Sequence, residues 1–260
     1  MGESKKLGIA LSGGAARGLA HIGVLDVLCD AGCKPWCVTG TSAGAIMGAL
    51  FCCGFTPKEM LNLARQVTWA KLVRPVVPRD GLLDTDRLEA FLRGLAGDVC
   101  FEGLKVKLGV VVTDLVNAQR LLVTTGKVWP AVVASCAIPG AFRPVRKDGT
   151  VLVDGGVLEN VPVRAAFQLG ATSVIACDVT HTVERQYPSN MLQVIVQSLE
   201  AMQKRQSELD SALADVVIRP NLTGLSMWDL SKADEYYQRG KQAATLAKAD
   251  IERIGLLHAE

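Results

Sequence analysis

At 260 residues, with 49% hydrophobic and 21% charged side chains, the chain has the size and composition of one large α/β core and leaves little room for a disordered tail. A formal net charge of +2, only 5% aromatic residues and no basic stripe give nucleic-acid binding no support. Lys5 and Lys6 precede an apolar run, but Gly13, Gly14 and Arg17 interrupt it and no cleavage pattern follows, which argues against a secretory leader. Lys6 stands where a myristoylated Met-Gly terminus would carry Ser or Thr.

Residues 7–11 are predicted as a short apolar strand and residues 12–18 as a glycine turn. A helix is expected over 19–30, on the spacing of Ile22, Val24, Leu25 and Leu28. Trp36-Cys37-Val38 opens a second unit of the same kind: a strand, the turn Gly40-Thr41-Ser42-Ala43-Gly44, and a helix that Gly54 can cap. Residues 35–57 carry no charge and mimic a membrane span. Their four glycines, three threonines and terminal prolines argue instead for a buried strand, turn and helix. Thr56-Pro57-Lys58-Glu59 supplies an N-cap, a proline at N1 and a capping-box glutamate for a helix reaching about residue 69. Residues 70–83 are apolar without either period; they read as a loop packed on its own core, with a lipid-facing flap as the alternative. A helix over 85–95 follows, then strands over 106–112, 120–124 and 151–153. The remainder reads as a helix over 161–169 closed by Gly170, a strand over 173–177, a helix over 190–213, a strand over 216–219 and a helix over 232–254. Strands alternating with helices imply a mainly parallel sheet covered on both faces.

Acyl transfer needs a nucleophile, a base and donors for an oxyanion. Ser42, between Gly40 and Gly44 at a strand-to-helix turn, has the setting of a nucleophile elbow, where flanking side chains would clash with the neighbouring strand. The glycine turn at 13–18 enters a helix and offers successive backbone N–H groups as donors. Turns after consecutive parallel strands emerge on the same sheet edge, so this turn and the elbow can share a crevice. A dinucleotide fingerprint fails because Ala15 occupies the third glycine position and no acidic residue ends the second strand. A phosphate loop fails because no Lys-Ser or Lys-Thr pair follows.

Two bases fit the order of residues. His181 follows Ser42 and Asp154, as in α/β-hydrolases, although only one strand precedes the elbow strand here. Asp154 ends the apolar strand before Gly155-Gly156 and can act as base if burial raises its pKa. His21 reads as a packing or loop-supporting group and His258 as exposed. The eight cysteines, with Cys52 and Cys53 adjacent and no leader, read as reduced thiols. Cys29, Cys33 and Cys37 recur at every fourth position, but no matching His or Cys cluster accompanies them, so no metal site is expected.

Taken together, these stretches resemble the patatin-like phospholipases of the compact bacterial type. The matching residues are Gly13 to Gly18 with His21-Ile22-Gly23-Val24-Leu25, the elbow, Ala134-Ser135-Cys136-Ala137-Ile138-Pro139-Gly140, Asp154-Gly155-Gly156 with Asn160-Val161-Pro162, and Gly170-Ala171. They cover most of residues 7–180 in the family's order; beyond about 190 the match is loose. The resemblance implies an α/β fold, a three-layer α/β/α sandwich with a mainly parallel central sheet, forming a single acyl hydrolase domain over 1–260. It implies a dyad of Ser42 as nucleophile and Asp154 as general base, with an oxyanion hole at Gly13, Gly14 and Ala15. Arg17, Gly18, Gly40, Gly44, Gly155 and Gly156 support these motifs. Ala15 replaces the commoner glycine, so this position is expected to do without a positive φ. Arg17 is expected to form a structural salt bridge, with an anionic head group as the alternative, and no role follows for Asp114. The implied substrates are phospholipids, lysophospholipids or related lipids, with no cofactor or metal, cytoplasmic placement and only transient contact with a membrane surface. A soluble-ester or thioester hydrolase, and a lipid-binding module with negligible turnover, are the competing readings.

Overall fold

Short apolar runs bounded by glycine turns become the strands of one eight-stranded sheet. The computed structural model describes residues 6–77, 80–147, 149–182 and 187–256, so His258, the Met1-Gly2 terminus and residues 78–79 of the 70–83 segment lie outside it. In chain order the elements are β1 (Leu7–Leu11), α1 (Ala20–Asp30), β2 (Cys37–Thr41), α2 (Ala43–Cys53), α3 (Pro57–Ala64), α4 (Trp69–Leu72), β3 (Arg74–Pro75), β4 (Leu83–Asp84), α5 (Asp86–Ala96) and β5 (Lys107–Asp114). They continue with β6 (Gln119–Val123), α6 (Val128–Ser135), β7 (Val145–Lys147), β8 (Thr150–Asp154), α7 (Val163–Gln168), β9 (Ser173–Cys177), α8 (Met191–Ser211), β10 (Val216–Ile218), α9 (Ala233–Leu246) and α10 (Lys248–Leu256).

The sheet runs β10-β9-β1-β2-β5-β8-β7, with β6 also paired to β5. Strands β10, β9, β1, β2 and β5 are mutually parallel, whereas β6, β7 and β8 join antiparallel. Alternation along β1 divides the interior: Leu7, Ile9 and Leu11 face a large core shared with α1, α2, α3, α5, α6 and α9, while Ala10 faces a smaller one against Val163 and Ala166 of α7. The sheet is therefore sandwiched between helical layers of unequal bulk. On the second side α8 is tied to α7 by Arg164 and Asp210, 3.2 Å apart.

Several elements depart from the sequence expectation. The helix begun at Thr56 has its full capping box but ends at Ala64, with α4 as a separate turn. The 70–83 segment holds the small β3–β4 hairpin and packs Val73 against Ala141 and Phe142 in a satellite core. The expected last helix divides at Ala247 into α9 and α10, which lets Ile251 and Ile254 turn inward. Helix α6 went unpredicted because, Pro130 aside, its residues are all buried, so no amphipathic period is written in them. Pro130 itself lies in the first turn, where its missing N–H is not needed. Among the described residues, no helix is long and apolar enough to cross a membrane.

Candidate active site

The sheet register brings Ser42 and Asp154 together. Strand β6 occupies one edge of β5 from Val110 to Asp114, so β2 and β8 must share the other. β2 ascends that edge until Thr41 pairs with Val111, and β8 descends it until Asp154 pairs with Val112. The two strand ends meet at one step of β5, and the residue after Thr41 is Ser42.

Ser42 adopts φ 52° and ψ −121°, a conformation that costs a residue with a Cβ roughly 1–3 kcal/mol and persists only where its surroundings enforce it. They do so by close packing. A Cβ on Gly40 would lie 2.4 Å from the Gly44 carbonyl oxygen, and one on Gly44 would lie 2.1 Å from the Leu11 carbonyl oxygen. The Ser42 carbonyl accepts the Ala45 and Ile46 amides of α2 at 2.9 and 3.2 Å, and its own N–H donates to Ser135 Oγ at 2.8 Å.

Asp154 is buried, and desolvation lifts its pKa from 3.8 to about 6; hydrogen bonding from the Ser42 hydroxyl and from the Gly156 amide, the latter at 2.8 Å, opposes the rise. The expected shift toward neutrality is thus present, and its cause is burial. Gly155 packs beneath: a Cβ there would lie 2.2 Å from the Val111 carbonyl oxygen.

Across the crevice, the turn at 13–18 becomes a short 3₁₀ segment. Ala15 takes φ 48°, so the expectation that alanine avoids a positive φ is overturned. The Ala16 amide is anchored on the Met227 carbonyl at 2.9 Å, which holds the strained residue before it. Gly13 N–H donates to the Asn160 carbonyl at 3.2 Å. Among the described residues, no group accepts from the Gly14 or Ala15 amide, so these two are the open donors beside Ser42. A Cβ on Gly18 would lie 2.4 Å from that of Ala43, which brings the turn close against the elbow helix.

Arg17 is buried, lies 3.9 Å from Glu200 of α8 and lines the cleft, so the expected bridge exists at the rim of the site. His21 is fully buried. Its Nε2 must carry the proton, because it lies 2.9 Å from the Ser12 carbonyl, which can only accept. Burial pushes its pKa down to about 4, so it supports the glycine turn as a neutral ring. His181 is exposed and does not line the cleft. Asp114 caps the turn after β5, accepting from the Val116 amide and from Asn117 Nδ2. All eight cysteines are free thiols. Among the described residues, no His, Cys, Asp and Glu side chains cluster as a metal site would require.

Two concavities meet at Ser42. One is an apolar cavity of about 120 Å³ reaching between α2, α3 and α5, with Met47, Met60, Leu88 and Phe91 in its wall and Leu72 and Val73 from the 70–83 segment. The other is a mixed cleft, in which Arg17, Asp154, Asn160, Gln203 and Lys204 stand beside apolar residues such as Val196 and Leu199. Ala15, Ser42 and Ile138 border both. Sequence reasoning singled out Ser42 and Asp154, which the fold places side by side, but missed the cavity walls, which come from separate helices, and the part played by Ser135, which contacts a residue 93 positions away.

A family model described as "Patatin-like phospholipase" matches residues 9–167. An uncharacterized NTE family protein of Mycobacterium tuberculosis is 29% identical over 256 residues, covering 98% of this chain and 43% of that one. Neuropathy target esterase sws of Drosophila melanogaster is 33% identical over 183 residues, covering 66% of this chain and 13% of the fly protein. The chain thus spans under half the length of these curated relatives. VipD from Legionella pneumophila shares the fold at 15% identity, with a TM-score of 0.55 over 98% of this chain and 67% of that one.

Proposed function

Because the chain belongs to the patatin-like phospholipase family, we propose that it is a serine acyl hydrolase that cleaves ester bonds of phospholipids, lysophospholipids or related lipids. One observation carries the lipid assignment: Ser42 stands where an apolar cavity meets a mixed cleft that carries charged and polar side chains. That boundary suits an ester with a hydrocarbon chain on one side and a polar head on the other.

In the proposed reaction Ser42 Oγ attacks the ester carbonyl as Asp154 takes the hydroxyl proton, and the Gly14 and Ala15 amides hold the developing oxyanion. Collapse expels the alcohol, which receives the proton from Asp154 and leaves an acyl-Ser42 ester. Water then attacks that ester, again giving its proton to Asp154, and Ser42 departs as the regenerated hydroxyl while the fatty acid is released. A carboxylate whose pKa lies at about 6 is ionised at neutral pH, yet basic enough to share the proton.

The test is a ladder of esters, from short soluble ones to long-chain lysophospholipids and phospholipids. Each methylene buried in the cavity is worth about 0.8 kcal/mol, so kcat/KM should climb roughly fourfold per carbon until the cavity is filled. A flat ladder, or a preference for the shortest esters, would favour the soluble-ester or thioester reading. No turnover on any rung would favour the lipid-binding module.

A further inference from the structure

Three consecutive residues at the end of α6 touch both members of the Ser42–Asp154 pair. Ser135 Oγ accepts the Ser42 N–H at 2.8 Å and donates its own proton to the Val111 carbonyl at 2.7 Å. The Cys136 side chain neighbours Ser42 and borders the same apolar cavity. The Ala137 carbonyl accepts the Asp154 N–H at 3.0 Å. Ser135 is completely buried, and Val111 is the β5 residue at which the elbow strand ends.

We propose that Ser135 is a positioning residue: through one buried hydroxyl it locks the nucleophile's backbone to β5 and so fixes the distance between Ser42 Oγ and the Asp154 carboxylate. The inference rests on the reading of Ser42 and Asp154 as the reacting pair. The physical argument begins with the strain at Ser42. Its carbonyl is held by the first turn of α2, but its N–H has no helical partner, and Ser135 alone among the described residues accepts from it. Without that oxygen, a buried amide would be left without an acceptor, an unfavourable state by roughly 1–3 kcal/mol. Rotation of the peptide between Thr41 and Ser42 relieves it. The same rotation swings the side chain away from Asp154, because the serine Cβ moves with its backbone. Asp154 would stay behind, since its own N–H is held separately by Ala137.

The test compares wild type, Ser135→Ala and Ser135→Cys for kcat, KM, thermal unfolding and the acid limb of the rate profile. For Ser135→Ala, kcat should fall about 100-fold, the effect of misplacing a reacting group by about 1 Å, with KM changed by less than about threefold. The acid limb should also move above its wild-type position near pH 6, because the carboxylate loses the hydrogen bond from the Ser42 hydroxyl that now opposes the rise in its pKa. Ser135→Cys, a weaker acceptor of similar shape, should fall between the two. Ser135→Ala with wild-type kcat and an unmoved acid limb overturns the inference, as does a loss confined to KM. If Ser135→Ala does not fold, Ser135→Cys decides on the same two readouts. A wild-type protein inactive on every ester would instead refute the proposed function, and the two failures are therefore distinguishable.

Discussion

Asp154→Asn should destroy hydrolysis and, at neutral pH, make the protein more stable. Burial lifts the carboxyl pKa from 3.8 to about 6, so the folded protein holds this proton more tightly than the unfolded chain does. Between those values the native state binds more protons, and stability falls as pH rises through the window; above about pH 6 the loss is complete. Two pKa units at 1.36 kcal/mol each amount to about 3 kcal/mol of native-state penalty at about pH 7.5, against about 1 kcal/mol at about pH 4.5. Asparagine is neutral throughout, keeps the shape, and still offers an oxygen to the Gly156 amide. Urea unfolding of the two proteins at both pH values measures the difference directly, provided the slope with denaturant is unchanged. The expected gain at neutral pH corresponds to a melting temperature about 6–9 °C higher, shrinking by roughly two thirds at the acid pH. A variant no more stable than wild type at about pH 7.5, or a gain that does not depend on pH, would refute the claim that Asp154 is ionised at an energetic cost the fold must bear.

Three further expectations follow from the same geometry. The rate profile of kcat/KM should fall on the acid side with an apparent pKa of about 6, because the base must be ionised to accept the serine proton; a limb near 4 would mean that the base lies elsewhere. His181→Ala should leave kcat/KM within about twofold of wild type, since that side chain is exposed and outside the cleft, whereas a loss of activity in a folded variant would restore the histidine triad. Ala64→Phe places a ring in the apolar cavity and should shorten the preferred acyl chain. Turnover of long-chain substrates should drop about 15-fold while short esters change little, as displacing two buried methylenes requires, and an unaltered chain preference would remove the cavity from the account.

What the sequence made legible was local chemistry. The elbow could be read from Gly40 and Gly44 because their spacing answers a steric demand within one turn, and Asp154 from its place between an apolar strand and two glycines. The glycine turn at 13–18 was legible for the same reason, although the chain tolerates a positive φ at Ala15 because the Ala16 amide is tied to Met227, far along the sequence. Long-range pairing was not legible. Nothing in residues 150–154 announces that β8 runs antiparallel and abuts β2 on one edge of β5, yet that register is what sets Ser42 beside Asp154. Ser135 stood within a recognised stretch, but its importance lies in a backbone contact across the sheet edge. The cavity was hidden too, because its wall is shared among α2, α3, α5 and the 70–83 segment, whose apolar residues show no period of their own.

The central claim is that the Ser42 hydroxyl, activated by Asp154, becomes acylated. Treatment of the wild-type protein with a fluorophosphonate, followed by mass mapping of its peptides, tests it most directly, with Asp154→Asn run alongside. The account predicts one adduct, on Ser42, formed rapidly in wild type and far more slowly in the variant. An adduct on another residue, or no adduct from a preparation that hydrolyses lipid esters, would contradict it.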